Sequence, residues 1–274
     1  MNGMHPRVCV SAISTFRLSL ADDLKFWATH GIDRAGVSVA KLEKFGWERG
    51  ADLVEQAVDR GLQVVDLIGL GPFHLADPSR WDEQRERLVR SIETAARVDA
   101  GCLVFTTGPF APLTWDEAAD ALAVALAPVL AEARVRGIDF ALEHTNSLRV
   151  DVGFVHTLHD AIDLARRLDT GVCMEVNACW AERDLSATIA RGIDRIRLVQ
   201  VSDFRVGTVA SSQRLVPGDG DIPLARILGD LIGAGYGGMF ELELIGDAIV
   251  AEGYDVAVPR AVRALDALLE GLGV

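Results

Sequence analysis

Long apolar runs are missing from this chain. The longest, residues 121–131, is 11 residues and contains Pro128, against the ~20 that a membrane span needs, so a transmembrane helix is excluded. Positive charge is in deficit, with 27 Lys and Arg against 40 Asp and Glu and a net charge of −13. Such a chain repels a phosphate backbone, which removes the main driving force for sequence-independent nucleic-acid binding. Cysteine is sparse, at positions 9, 102, 173 and 179, and no Cys-x-x-Cys pair occurs. Neither a disulfide framework nor a zinc ribbon is expected, and the thiols read as buried. No Gly-x-Gly-x-x-Gly turn follows the first strand-like run, where Val10-Ser11-Ala12-Ile13 stands instead, which argues against a dinucleotide-binding sheet. The N-terminus lacks a charged, then apolar, then small-residue leader pattern, so the expected location is the cytoplasm.

What is present is globular: 50% hydrophobic and 24% charged, a balance that excludes disorder. Eight short β-branched runs occur, at 7–13, 35–39, 62–68, 102–106, 139–144, 172–177, 196–202 and 239–244. Between them lie amphipathic stretches with three- and four-residue spacing, such as Leu122, Leu126, Val129 and Leu130, the period of a helix packed on one face. Thr114-Trp115-Asp116-Glu117 reads as a capping box. Pro223 and Pro259 suit a first helical turn, where the missing N–H costs nothing. Strict alternation of strand and helix implies parallel strands joined by crossovers. Eight such units, with no linker between them, predict an α/β fold, a single (β/α)8 TIM barrel spanning residues 1–274 as one domain.

Barrel chemistry sits at the C-terminal ends of strands, and side chains alternate along each strand. If Leu142, Met174, Val176, Val199, Val201, Leu242 and Leu244 face the helices, the opposite parity turns Glu143, Glu175, Gln200 and Glu243 inward on four consecutive strands. Neighbouring strands are ~4.8 Å apart, so one cation is within reach of all four. Clustered carboxylates repel in a low-dielectric mouth unless a divalent cation, an arginine or a retained proton compensates. Glu241 shares the inward parity one layer deeper and is expected in an ion pair. Arg214, His144 after strand five, His74 after strand three and Asn177 at the end of strand six are the candidate substrate contacts.

At these residues the chain resembles the sugar phosphate isomerase/epimerase superfamily, the xylose isomerase-like barrels. That family tends to end strand five with Glu, matched by Glu143, and strand eight with Glu, matched by Glu243. Before strand eight it often carries Arg, Pro-Gly-x-Gly and Gly-Tyr-x-Gly; here these are Arg214, Pro217-Gly218-Asp219-Gly220 and Gly235-Tyr236-Gly237-Gly238. Three positions depart from the pattern: Glu175 replaces Asp and Ala178 replaces His after strand six, and Gln200 replaces the strand-seven His, although Asp203 keeps the second half of that motif. The resemblance implies a metal held by Glu143, Glu175, Gln200 and Glu243. Because all four are oxygen donors, manganese or magnesium is favoured over zinc.

The implied reaction is isomerisation or epimerisation of a keto-sugar or related polyol through an enediolate, with Glu143 and Glu243 as acid and base. A lyase on the same scaffold shares the first step, as a keto-cyclitol dehydratase or an eliminating enzyme on a 3-keto-glycoside. A metal-free binding subunit is the non-catalytic alternative. An abasic-site endonuclease shares the fold in relatives that carry a His-rich zinc site, and six His with a charge of −13 set it aside. Trp27, Phe45 and Trp47 suit either a homo-oligomer contact or burial under the outer helices.

Overall fold

A computed structural model describes residues 3–274. Eight strands form the wall: β1 (Val8–Ser11), β2 (Arg34–Ser38), β3 (Gln63–Leu70), β4 (Cys102–Thr106), β5 (Asp139–Glu143), β6 (Gly171–Glu175), β7 (Ile196–Val201) and β8 (Met239–Leu242). They pair in sequence order, all parallel, and β1 closes the barrel against β8 by Val8↔Phe240, Cys9↔Glu241 and Val10↔Leu242. Outside lie α1 (Leu20–His30), α2 (Val39–Phe45), α3 (Trp47–Val58), α4 (Trp81–Arg97), α5 (Trp115–Val135), α6 (Leu158–Leu168), α7 (Val176–Cys179), α8 (Leu185–Gly192), α9 (Leu224–Gly233), α10 (Asp247–Glu252) and α11 (Tyr254–Gly271). This is the (β/α)8 barrel that the alternation predicts. No helix among the described residues is long and apolar enough to cross a membrane.

The helix signals act as their chemistry requires. The Thr114 hydroxyl accepts from the Glu117 N–H while the Glu117 carboxylate accepts from the Thr114 N–H, which closes the capping box of α5. Leu122 and Leu126 of that helix are fully buried, each removal from water stabilising the fold by about 1.5–3 kcal/mol. Pro223 caps α9 as expected. Pro259 does not start a helix: α11 begins at Tyr254, after Gly253 at φ +88°, and Pro259 lies inside it. The carbonyl that its missing N–H would have engaged belongs to exposed Asp255, where water can serve instead.

Inside the barrel, Cys9, Cys102 and Cys173 pack with Val104, Ala141 and Leu198 in an apolar cluster apart from the outer core. All four cysteines are free and buried, which is the state expected of them. Trp27 is buried, and Phe45 and Trp47 pack half-buried against the outer core.

Candidate active site at the barrel mouth

Glu143 is the last residue of β5, Glu175 the last of β6, and Glu243 follows β8 directly. Their carboxylates converge, with one oxygen from each lying within 4.8 Å of the others. Strand β6 stops at Glu175 because that carboxylate accepts the Asn177 N–H at 2.9 Å and caps the short α7. Asn177 therefore sits in a helical turn rather than on the strand end. Its side chain lines the cavity and its buried Nδ2 has no acceptor.

Arg214 reaches the trio from the β7–α9 loop. Its Nη1 lies 2.6 Å from Glu175 Oε2 and also hydrogen-bonds Glu243 Oε2. The Glu175 contact is close enough for an ion pair but off the hydrogen-bonding direction, so Glu175 Oε2 is left without a donor. One guanidinium thus faces two of the three carboxylates. Burial pushes the Glu143 carboxyl up to about 8, with Glu243 adding to the rise and Arg214 opposing it. Burial likewise raises Glu175 well above the usual range, again against Arg214. Burial works against the Arg214 charge, but Glu175 and Glu243 outweigh it and raise its pKa.

The loop that delivers Arg214 is organised by Asp203. Its buried carboxylate accepts from the backbone N–H groups of Phe204 (2.8 Å), Gly218 (2.9 Å), Gly220 (3.0 Å) and Ile222 (3.1 Å). Gly220 is required by this approach, since a Cβ there would stand 2.3 Å from Asp203 Oδ1. Asp203 and Leu215 exchange backbone bonds of 2.9 and 2.8 Å, which places Arg214 one residue from a fixed bridge. Asp203 and the Pro-Gly-x-Gly segment are thus a frame for Arg214. Asp203→Ala should strip four amides of their acceptor and cost about 3 kcal/mol; chemical denaturation checks it, and a cost below about 1 kcal/mol contradicts this role. Gly-Tyr-x-Gly is also structural: the Tyr236 hydroxyl donates to the Met239 carbonyl at 2.7 Å and anchors the entry to β8.

Gln200 stands beside Glu175 in the β6–β7 register, while its other neighbour belongs to the layer below. Register pairs it with Glu241 rather than Glu243, and its Nε2 donates to Glu241 Oε2 at 3.1 Å. Its Oε1 is buried without a donor. Glu241 is not in an ion pair, which corrects the expectation for it. It shares the barrel interior with Asp66, both fully buried, and burial raises each: Asp66 to about 7 and Glu241 well above the usual carboxylate range. Gly36 makes room for them, because a Cβ there would lie 2.2 Å from Glu241 Oε1 and 2.4 Å from Asp66 Oδ1. Asp66 went unread in the sequence because a single Asp in an apolar strand carries no spacing signal.

Besides Gln200, two further candidates do not line the cavity. His144 is fully buried, and its Nε2 accepts the Glu175 N–H at 3.2 Å. Burial lowers its pKa to about 3, with His156 adding to the effect, so the ring is neutral and steadies the Glu175 backbone. His74 is half-buried, its N–H donating to Gln84 Oε1 and its carbonyl accepting from Trp81 Nε1, and it does not line the cavity. The sequence reading missed Arg149, Thr145, Asn146, Ser211 and Ser212, which line it from the β5–α6 and β7–α9 loops. The cavity over the trio has a volume of about 210 Å³. Larger clefts lie between α3 and α4 and beside the N-terminal segment, but neither joins the convergent carboxylates.

A sequence-family profile described as the xylose isomerase-like TIM barrel matches residues 24–268. No curated protein sequence matches. Among solved structures, a protein from Sinorhizobium meliloti 1021 is 23% identical over 96% of this chain and 98% of its own, with a TM-score of 0.84. The IolI protein, crystallised with a zinc atom, is 16% identical over 97% of each chain, with a TM-score of 0.79. The 3-keto-D-glucoside 4-epimerase of E. coli is 17% identical over 96% of this chain and 99% of its own, with a TM-score of 0.74.

Proposed function

The chain belongs to the xylose isomerase-like TIM-barrel family, and from that premise we propose that it is a divalent-metal-dependent isomerase or epimerase of a keto-sugar or related polyol. The observation that carries this reading is the convergence of Glu143, Glu175 and Glu243 within 4.8 Å beside a cavity at the C-terminal mouth. The donor set suits a hard cation. Glu175 Oε2 and Gln200 Oε1 are buried acceptors without donors, and every donor is oxygen, the chemistry of manganese or magnesium. Glu143, Glu175 and Glu243 would hold the ion, with the Gln200 amide oxygen as the fourth group; the ion would polarise a substrate carbonyl and lower the cost of negative charge beside it.

The chain's own groups handle the proton. Glu143 is the proposed acid–base group on one face of the reacting carbon. Glu243 comes from another strand and can serve the opposite face of the same carbon. Arg214 is the fixed cation next to the charge that develops when the proton leaves, and Asn177 Nδ2 is an unused donor for a substrate hydroxyl. Proton return to the opposite face gives epimerisation, and return to the neighbouring carbon gives isomerisation.

The contact of Arg214 with Glu175 and Glu243 favours a second reading, a metal-free binding subunit whose acidic cluster is compensated by arginine and retained protons. Elemental mass spectrometry on protein purified without chelator separates the two. About one manganese- or magnesium-class ion per chain in the wild type, lost in Glu143→Gln and Glu243→Gln, together with deuterium uptake into ketoses, is the expected result. Wild-type protein that holds no metal after manganese or cobalt is added would overturn the isomerase reading.

A further inference from the structure

A second cavity of about 240 Å³ opens beside the first, and the two share Phe16, Ser212 and Ile245 as a common wall. The chambers differ in chemistry. The first ends on Glu143, Glu175, Glu243 and Arg214, whereas the second sets the apolar side chains of Leu244, Ile249, Val250 and Tyr254 beside Arg17 and the Gln213–Asp247 pair at its edge. Phe16 stands at the junction and is 61% exposed, an aromatic face turned to solvent where two cavities meet.

The walls are tied rather than loose. Gln213 Nε2 donates to Asp247 Oδ2 at 3.0 Å, and the Asp247 N–H donates to Gln213 Oε1 at 2.9 Å. The Arg214 N–H donates to the Ile245 carbonyl at 2.8 Å, so the loops after β7 and β8 are stitched together along this wall. Gly246 allows the approach, since a Cβ there would meet Gln213 Oε1 and the Ser212 carbonyl at 2.8 Å. Neither chamber alone reaches the ~300 Å³ at which sites for organic ligands usually begin, but the two together do.

We propose that the second chamber is a subsite for an apolar, aryl-sized substituent, so that the substrate is an amphipathic glycoside-like conjugate rather than a bare monosaccharide. The inference rests on the sugar-processing reading of the mouth and names the part of the substrate that leaves the carboxylates. The hydroxylated end enters the first chamber, and the substituent passes Phe16 to lie against Ile249 and Val250. Because the two cavities adjoin at exposed Phe16, the occupant assigned is a substituent of the same ligand, laid across that ring.

Titration calorimetry with paired methyl and 4-nitrophenyl glycosides of common hexoses tests this on the manganese-supplemented protein. The aryl member of at least one pair should bind ~10-fold or more tightly than its methyl partner, as expected for burying an aromatic ring. Val250→Trp, which fills the chamber, should abolish that preference. Phe16→Ala, at an exposed position that the fold tolerates, should reduce it severalfold. No aryl preference in any pair, whether from equal binding or from no binding, overturns the proposal. So does a preference that survives both variants. Concentration-dependent dimerisation abolished by Val250→Trp, without aryl preference, would assign the chamber to a second copy instead. Metal content and deuterium exchange measured on the same wild-type protein separate the two readings. An aryl preference in wild type that holds no added metal and shows no exchange refutes the isomerase alone, and metal with exchange but no preference refutes the subsite alone.

Discussion

Glu143→Gln should lower deuterium exchange into substrate by about 1,000-fold while making the metal-free protein more stable at alkaline pH. The first effect follows from losing a proton-transfer group, which typically contributes 10²–10⁴-fold. The second follows from linkage. The Glu143 carboxyl is raised from 4.5 to about 8, chiefly by burial. Between those values the folded state keeps a proton that the unfolded chain has released, so stability falls as pH rises through that window. Full burial would make such a shift worth about 4–5 kcal/mol. Glu143 is only half-buried, and solvent screening reduces the expected gain to about 2 kcal/mol. Urea melts of both proteins in chelator should coincide near pH 4 and separate up to about pH 8. A variant no more stable than wild type at pH 8.5 would contradict the buried-carboxyl account, and an unchanged exchange rate would remove Glu143 from the chemistry.

Arg214→Met should act in the reverse sense on stability. Arg214 is the cation in contact with Glu175 and Glu243, and its side chain is only 14% exposed. Breaking a buried ion pair from one side typically costs ~3–5 kcal/mol, because the partner charge is left uncompensated. The cost is smallest in acid. Burial already raises Glu175 well above the ordinary carboxylate range, and without the arginine a proton can take the place of the lost cation. As pH rises that proton is lost, so the deficit of the variant should grow from acid toward alkaline pH, up to about 3 kcal/mol. We also expect kcat/KM to fall by about 100-fold, with Arg214→Lys recovering part of it, since the ammonium restores the charge but not the planar shape of the guanidinium. A pH-independent deficit would show that Arg214 acts through packing alone.

Much of this site was legible before any coordinates. Alternation along β5, β6 and β8 puts Glu143, Glu175 and Glu243 on one parity, and a strand permits only two faces, so inward orientation follows from the aliphatic residues beside them. Which layer each side chain occupies was not legible. Gln200 has the right parity, yet register sets it opposite Glu241, because the stagger between strands in a closed barrel is a property of all eight together. Asp66 and Glu241 meet across the interior only because Gly36 leaves space for both carboxyls. The imidazole of His144 was visible as a residue next to a candidate ligand, but only packing shows it buried under Glu175 instead of facing the cavity.

The chain by itself determined the barrel, the end of the barrel that carries chemistry and the acidic character of that end. Hydrophobic period, cap residues and strand parity are local, and eight repetitions of them leave one economical closure. Tertiary structure alone decided that Asp203 would gather four amides and thereby hold Arg214 over the carboxylates. It also decided that a second chamber would share a wall with the first. Both depend on loops from different βα units meeting above the sheet, and no periodicity within a single loop encodes where its neighbour will lie.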